Sequence, residues 1–237
     1  MDRNRSTGNP RIGLVQFPGS NCDADCIDAM KRLFHIDLLP IWHDTANLPP
    51  VDGLILPGGF SYGDYLRGGA LASCSKIMPA IKKFASQGGA ILGICNGFQV
   101  LTESHLLPGI LLKNAFQGFI CKNVQLAVAS GTSAYHERLA GRSYKVPIAH
   151  GEGRYYVSPD ELKRLQDQGQ ILFQYCDEQG QVSEKANPNG AVAEIAGILS
   201  ENGRILGMMP HPERASDTLL GSEDGRFILE AFLATVL

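Results

Sequence analysis

The stretch Ala90-Ile-Leu-Gly-Ile-Cys95-Asn-Gly-Phe-Gln99 joins a short apolar run to a helix-like pattern across a single cysteine. A short apolar run bounded by glycine is typical of a buried strand. The frame Gly93-x-Cys95-x-Gly97 then puts the thiol at a sharp strand-to-helix turn, which needs small neighbours because bulky ones would clash. The N-terminal amides of the helix would stabilise a thiolate. We therefore expect Cys95 to be a nucleophile, although a lone thiol is more often a buried structural residue.

Composition limits the functions that this chain can have. The 237 residues are enough for one sizeable core, and 21 Lys+Arg against 24 Asp+Glu give a net charge of −3. That balance predicts no nucleic-acid partner, and no apolar run is long enough to cross a bilayer. Six cysteines occur without an apolar signal core, which favours reduced thiols and a cytoplasmic location.

The order of apolar runs and helical patterns predicts an α/β fold. Strand and helix patterns alternate from Arg11 to Cys95, which is typical of a parallel sheet with crossover helices. After Pro108-Gly109 the strands follow one another closely, and Asn202-Gly203 is a strong hairpin signal, so antiparallel strands are expected there. We expect residues 11–237 to form one domain and residues 1–10 to be a disordered tail.

Two helices are predicted with specific boundaries. The first should be capped by Ser20 or Asn21 and end near Phe34, because apolar residues recur at helical spacing between them. The second should run from about Leu71 to Gln87, where a pair of glycines would end it.

A thiolate nucleophile needs a base and a group that orients the base. The segment His211-Pro-Glu213 offers both after an apolar strand, at the sheet edge where ligands bind in open α/β folds. In an extended segment, residues two apart project to the same side, so Glu213 would accept from one imidazole nitrogen while the other faces sulfur. His150 also has an acid two residues on; we rank it second as a base and expect it in a loop near the site.

The remaining site residues follow from the need to hold an oxyanion and a polar substrate. The backbone N–H of Asn96 begins a helix next to the nucleophile, and Gly59 in Pro57-Gly58-Gly59 can point a second N–H into a cavity. Gln99, four residues after Cys95, shares its helix face and would contact substrate. Cys22 and Cys26 lie one helical turn apart without a second ligand pair, so no metal site is predicted.

Together, Gly-Ile-Cys95-Asn-Gly-Phe-Gln99, Pro57-Gly-Gly and His211-Pro-Glu213 resemble the motifs of the class I (triad) glutamine amidotransferases. The resemblance covers nearly the whole chain. It implies a flavodoxin-like three-layer sandwich with a central, mostly parallel sheet and some antiparallel strands. The family's nucleophile, base and orienter fall on Cys95, His211 and Glu213, and its oxyanion donors fall on the backbone of Gly59 and Asn96.

Further stretches, Val15–Asp23, Pro57–Ala70 and Ala149–Gly153, are similar to those of the glutaminase subunits that serve purine synthesis. This implies that L-glutamine is hydrolysed to glutamate and ammonia through a thioester. The partners implied are a larger synthetase subunit, which binds ATP, Mg and formylglycinamide ribonucleotide, and a small accessory subunit. No cofactor is expected on this chain, which has no phosphate-binding Gly-x-x-x-x-Gly-Lys-Ser/Thr loop. The family often carries a basic residue before Phe119; here it is Gly118, so no residue is predicted for the glutamine carboxylate.

Two other functions are kept open. A stand-alone cysteine hydrolase or peptidase of a related fold would act without a partner and would have a histidine after the nucleophile, where this chain has Asn96. A subunit with an inactive triad would bind partners only; the intact Cys95, His211 and Glu213 argue against it.

Overall fold

The computed structural model describes residues 9–116 and 118–237. The predicted tail therefore lies outside the described residues, except for Asn9 and Pro10. The strands are β1 Ile12–Gln16, β2 Leu39–Trp42, β3 Gly53–Leu56, β4 Ala90–Ile94, β5 Ile110–Leu112, β6 Ile120–Val128, β7 Ser143–His150, β8 Arg154–Tyr156, β9 Ile171–Cys176, β10 Ile195–Leu199 and β11 Ile205–Met208. The helices are α1 Asp23–Phe34, α2 Met78–Ser86, α3 Asn96–Glu103, α4 Ala134–Leu139, α5 Pro159–Asp167 and α6 Gly225–Val236.

Nine strands form one mixed sheet in the order β2-β1-β3-β4-β11-β10-β9-β6-β7. Strands β2, β1, β3, β4 and β11 are parallel, and from β11 onward each neighbouring pair is antiparallel. The parallel half has the strand order of flavodoxin-like sheets. The expected α/β class, with a parallel core and added antiparallel strands, is confirmed. Strands β5 and β8 pair separately as a small second sheet that the sequence did not indicate.

Helices cover both faces of the parallel half. A Cβ built on Gly53 of β3 would lie 2.7 Å from Val236 of α6, whereas one on Gly207 of β11 would lie 2.2 Å from Phe98 of α3. Gly53 pairs with Ala90, and Gly207 pairs with Gly93, three residues further along the same strand. Because side chains alternate along a strand, α6 and α3 lie on opposite faces. Tight packing thus holds α3, and the turn before it, against the sheet.

Two boundaries differ from the sequence prediction. The expected helix from Leu71 to Gln87 is a short 3-10 turn, Ala72–Cys74, followed by α2, because Ser75 is extended at φ −65° and ψ 154°. Helix α1 begins after Cys22, and neither Ser20 nor Asn21 caps it with a side chain. The Ser20 hydroxyl accepts instead from the Phe17 N–H, within the preceding turn.

The hairpin prediction is confirmed, since β10 and β11 are antiparallel around Asn202-Gly203, with Gly203 at φ +66°. All six cysteines are free thiols. Among residues 9–116 and 118–237, no helix combines the length and apolar character needed to cross a membrane. Strands β1, β3, β4 and β11 run in one direction, so the segments that follow them meet at a single edge of the sheet.

Candidate active site

Cys95 occupies the sharp turn between β4 and α3. Its backbone is at φ 49° and ψ −104°, a left-handed conformation that L-residues other than glycine rarely adopt. The surroundings enforce it: the Cys95 N–H donates to the Met208 carbonyl at 2.8 Å, and the carbonyl of Cys95 accepts from the Gln99 N–H at 3.1 Å. Strain held in this way is typical of functional turns. The side chain is 5% exposed, with its Sγ 3.8 Å from the carbonyl oxygen of Ala149.

The glycines on either side of Cys95 are needed because other atoms occupy the places that side chains would take. A Cβ on Gly97 would lie 2.0 Å from the Leu56 carbonyl oxygen, and one on Gly93 would lie 2.4 Å from Leu101 and 2.9 Å from Gly97 itself. The Gly97 obstacle is backbone and cannot rotate away. The sequence argument from small neighbours therefore has a direct steric basis.

His211 and Glu213 form a buried pair beside this turn. Nδ1 of His211 lies 2.6 Å from Oε1 of Glu213, and the two residues are 1% and 2% exposed. The His211 N–H donates to the Pro147 carbonyl at 2.8 Å, which fixes the turn against β7. The expected extended segment is wrong: residues Pro212–Arg214 form a short 3-10 turn. That turn nevertheless returns the carboxylate to the imidazole.

The electrostatics of the pair favour an imidazolium. Burial lowers the pKa of His211, but the Glu213 carboxylate and, after it, Cys95 outweigh burial and hold that pKa well above its usual value. With Nδ1 directed at Glu213, Nε2 has no hydrogen-bond partner in the described part of the chain. Cys95 is close enough to interact with this imidazole, as the proposed nucleophile of a proton-transferring base must be.

Of the two predicted oxyanion donors, Asn96 directly follows Cys95, and Gly59 belongs to a turn beside His211. Gly59 has a φ of +140°, and a Cβ there would lie 2.7 Å from the backbone nitrogen of Asn21. Asn96 begins α3, and N–H groups in the first turn of a helix have no acceptor within it. Gly58 precedes Gly59, and a Cβ on Gly58 would lie 2.6 Å from the His211 ring. The turn that contains the two glycines therefore packs directly against the imidazole.

Gln99 is buried and already bonded within the protein. Its Oε1 accepts from Asn96 Nδ2 at 2.8 Å, and its Nε2 donates to the Glu152 carbonyl at 2.7 Å. The Glu152 carboxylate in turn accepts from the Gly68 N–H at 3.0 Å. Gln99 thus links the nucleophile helix to the segment after β7 and to the loop before residue 70. Its contact with substrate stays a prediction.

His150 lies near the site, as expected, but it is the last residue of β7 and pairs with Ile120, so the expected loop position is wrong. Its environment suits a neutral imidazole. Its Nδ1 lies 3.0 Å from Asn114 Oδ1, and Asn114 Nδ2 donates to the backbone carbonyls of Gly118 and His150. The amide oxygen of Asn114 is therefore the acceptor, and Nδ1 of His150 carries the proton. Burial, and then the neighbouring His211, lower the pKa of His150 to about 4.

Cys22 is a further buried thiol beside the pair, which the sequence did not assign to the site. Arg214 donates from Nη2 to Cys22 Sγ at 3.2 Å and from Nε to Asp25 at 2.8 Å. Ligand atoms of Cys22, His211 and Glu213 lie within 4.8 Å of one another, but Nδ1 of His211 and Oε1 of Glu213 are already hydrogen-bonded to each other. The sequence indicated this proximity only through the position of Cys22, which lies in the segment between the end of β1 and the start of α1.

The α/β fold and the cysteine, histidine and glutamate of the site indicate a glutamine amidotransferase, and comparison with known proteins agrees. Residues 9–225 match the family described as "CobB/CobQ-like glutamine amidotransferase domain". That match covers most of the chain, and the chain belongs to this family of glutamine amidotransferases.

Its curated relatives narrow the class to one branch. The chain is 49% identical to phosphoribosylformylglycinamidine synthase subunit PurQ of Aquifex aeolicus, over 94% of this chain and 99% of the relative. It is 46% identical to the PurQ subunit of Methanosarcina acetivorans, over 93% of this chain and 96% of the relative. Such identity over whole chains makes this chain a member of the PurQ branch of the family.

Solved structures give the same result. The structure of PurLQS from Thermotoga maritima matches with a TM-score of 0.83 and 39% identity, covering 96% of this chain and 99% of that chain. A putative GMP synthase component from Thermoplasma acidophilum matches with a TM-score of 0.63 at 16% identity, covering 97% of this chain and 95% of that chain, which supports the fold alone.

Proposed function

We propose that this chain is the glutaminase subunit of a phosphoribosylformylglycinamidine synthase, with residues 11–237 acting as one domain. The observation that carries the proposal is the buried His211–Glu213 pair beside the strained Cys95 turn. The names of the relatives support the reaction and the pathway, because both describe the same synthase.

In the proposed first half-reaction, the Cys95 thiolate attacks the side-chain amide carbon of glutamine. The carbonyl oxygen gains the negative charge and accepts hydrogen bonds from the backbone N–H groups of Gly59 and Asn96. His211, as imidazolium, gives its Nε2 proton to the leaving nitrogen, and the C–N bond breaks to release ammonia. Glu213 stabilises the imidazolium and holds the ring in place.

In the second half-reaction, His211 removes a proton from water, whose oxygen attacks the glutamyl thioester. The C–S bond breaks, glutamate leaves, and the thiolate of Cys95 is restored. His150, with its low pKa, stays neutral near pH 7 and is a poor alternative as the base. Gln99 is proposed to contact glutamine or to hold Asn96 in position.

The ammonia is proposed to pass to a larger synthetase subunit, which would bind ATP and Mg and convert formylglycinamide ribonucleotide to formylglycinamidine ribonucleotide. The relative in Thermotoga maritima was solved as PurLQS, which supports both a synthetase partner and a small accessory subunit. No cofactor on this chain enters the proposed chemistry. Six free thiols fit the reducing cytoplasm, where we place the chain.

A test uses the complex reconstituted from this chain and its cognate synthetase. Cys95→Ala should abolish glutamine-dependent synthesis but leave synthesis from free ammonia unchanged. Cys74→Ala, at an exposed thiol, is the matched control and should keep both activities. Glutamine-dependent synthesis by the Cys95→Ala complex would contradict the proposed nucleophile. Loss of both activities would contradict the proposal that this chain hydrolyses glutamine while the synthetase uses the ammonia. A stand-alone hydrolase would instead hydrolyse glutamine equally fast without synthetase.

A further inference from the structure

Arg214 directly follows the His211–Glu213 pair in sequence and connects it to the start of α1. Its Nε donates to Asp25 Oδ2 at 2.8 Å, and its Nη2 donates to Cys22 Sγ at 3.2 Å. Asp25 lies in the first turn of α1, and Cys22 is the residue before that helix. We call Arg214, Cys22 and Asp25 the arginine clamp. Because both bonds come from one planar guanidinium, they fix its orientation as well as its position.

The arginine clamp also reaches the turn that carries a proposed oxyanion donor. The Cys22 N–H donates to the Gly58 carbonyl at 3.3 Å. A Cβ on Gly58 would lie 3.0 Å from Cys22 Sγ and 2.6 Å from the His211 ring, so the thiol and the imidazole pack against the same glycine. The next residue, Gly59, is the proposed donor. The clamp therefore joins the turn of the proposed base to the turn of the oxyanion donor.

The Glu213 carboxylate depends on its backbone turn for its position. Its Oε1 is hydrogen-bonded to His211, but Oε2 is buried and has no hydrogen-bond partner within residues 9–116 and 118–237. One hydrogen bond leaves the carboxylate free to rotate about it, so the turn that carries Glu213 must be held by other contacts. Pro147 of β7 holds it through the His211 N–H at 2.8 Å. Arg214 holds the same turn to α1.

The charges around Arg214 favour the same arrangement. Burial lowers the pKa of Arg214, but Asp25, Cys22 and Glu213 outweigh burial and raise that pKa. The Arg214 side chain is 35% exposed, so salt screens its ion pair with Asp25 less than it screens a pair at the open surface. One cation thus interacts with an acid of α1 and with the acid of the His211 turn, and holds the two segments together.

We propose that Arg214 is a positioning residue for the reaction: through Cys22 and Asp25 it sets the distance between the proposed base and the turn of the oxyanion donor. This inference rests on the proposed function. In this role the clamp does not touch substrate. The base and the oxyanion donor act on charge that develops in the transition state, so loss of the clamp should lower kcat rather than raise KM for glutamine.

The test uses the complex of this chain with its cognate synthetase and measures synthesis from glutamine and from free ammonia. Arg214→Gln should lower kcat with glutamine by about 10- to 100-fold, a loss that a misplacement of about 1 Å can cause, and should keep KM for glutamine within twofold. Synthesis from ammonia should not change, because it does not use the Cys95 site. Arg214→Lys should lose as much, since one ammonium cannot reproduce both bonds of the guanidinium.

Arg164→Gln is the matched control. The Arg164 side chain is 33% exposed, close to the value for Arg214, and it pairs with Glu161 at 2.6 Å and with Glu201 at 2.7 Å. Glu201 lies in the turn that leads into β11, at the edge of the sheet opposite Cys95. The control removes the same charge and similar ion pairs, and should keep kcat within twofold of wild type.

Two replacements of Cys22 test the clamp from its other end. Cys22→Ala removes the acceptor of Arg214 Nη2 and should lower kcat with glutamine by about tenfold. Cys22→Ser should keep kcat within about threefold of wild type, because a hydroxyl oxygen also accepts a hydrogen bond. The Arg214→Gln/Cys22→Ala double variant should be no slower than Arg214→Gln, because both changes break the same contact.

Three results would overturn the inference and leave the proposed function intact. One is a kcat within twofold of wild type for Arg214→Gln or Arg214→Lys. Another is a comparable loss in Arg164→Gln, or in synthesis from ammonia by Arg214→Gln, because either would indicate a general structural effect. The third is an equal loss in Cys22→Ser and Cys22→Ala, or losses that multiply in the double variant. A wild-type complex that uses ammonia but not glutamine would instead refute the proposed function.

Discussion

His211 and Glu213 share a hydrogen bond of 2.6 Å between Nδ1 and Oε1, with both side chains buried. The carboxylate is what keeps the pKa of this imidazole high, because burial alone acts in the other direction. It also fixes the tautomer with Nε2 free. Removal of the charge should therefore alter both the protonation and the orientation of the proposed base.

Glu213→Gln should lower kcat/KM for glutamine hydrolysis by up to about 10⁴-fold, the loss seen when a triad carboxylate is neutralised. The pKa of His211, followed by NMR of the imidazole, should fall. Glu223→Gln, at an exposed position, is the control and should keep wild-type kinetics. A Glu213→Gln enzyme with an unchanged imidazole pKa would show that the carboxylate does not act through His211.

The His211–Glu213 pair should also make the stability of the protein depend on pH. The pKa of His211 in the folded state lies above its unfolded value of about 6.5, so the pair's contribution is complete below about pH 6.5. It is lost as pH rises through the folded-state pKa. Urea unfolding between pH 6 and 10 should show a loss of stability in the wild type that is reduced in Glu213→Gln. If the free energy of unfolding depends on pH in the same way for both proteins, Glu213 does not raise the pKa of His211.

Gly97→Ala should destabilise the chain by about 3 kcal/mol or more and abolish glutaminase activity. The added methyl would lie 2.0 Å from the Leu56 carbonyl oxygen, so α3 must move away from β3. Gly88→Ala is the matched control: its φ is +82°, but no atom lies within 4 Å of the new Cβ. It should cost about 1 kcal/mol and leave activity unchanged. Equal effects of the two changes would contradict the steric explanation, because Gly97, unlike Gly88, has no positive φ.

The turn around Cys95 could be predicted from sequence because its requirements are local. A glycine on each side of a cysteine after an apolar run encodes the steric limits without knowledge of the partner atoms. The His211-Pro-Glu213 contact was also predictable as a pairing, although the backbone is a 3-10 turn rather than extended. The two-residue spacing predicts that His211 and Glu213 project to the same side, but more than one backbone conformation places them so.

Other features were hidden because they depend on contacts distant in sequence. The bonds of Gln99 involve Glu152, whose carbonyl reaches the nucleophile helix only after the sheet has formed. The proximity of Cys22 to His211 likewise joins the two ends of the chain. The break at Ser75 is different, because its signals are local: Ser73, Cys74 and Ser75 have weak helix propensity, and Pro79 stands in the first turn of α2, where proline is tolerated.

Gln99→Ala distinguishes a positioning role from direct contact with substrate. Because the amide satisfies Asn96 Nδ2 and the Glu152 carbonyl, its removal should lower the free energy of unfolding by about 1–3 kcal/mol. A positioning role predicts a fall in kcat with little change in KM for glutamine. Gln181→Ala, at an exposed position, should change neither value. A raised KM with unchanged stability would instead support contact between Gln99 and the substrate.

Asp64 should destabilise the folded chain at neutral pH. Burial, and then the nearby Glu152, raise the pKa of Asp64 to about 6. The folded state therefore keeps a proton that the unfolded chain releases near pH 3.9, so stability falls as pH rises through this window. Asp64→Asn removes the charge, tolerates a φ of 52°, and keeps an oxygen that can accept from Asn96 Nδ2, as Oδ1 does at 3.3 Å.

Asp64→Asn should raise the free energy of unfolding at pH 8 by about 1 kcal/mol, a value reduced for solvent screening at this half-exposed site. At pH 4 the gain should vanish, because the wild-type carboxyl is then protonated in the folded state. Asp37→Asn, with a side chain 80% exposed and 3.0 Å from Lys31, should stay within about 0.5 kcal/mol of wild type at both pH values. A gain for Asp64→Asn that persists at pH 4 would show that its cause is not charge, and would point to relief of the left-handed backbone instead.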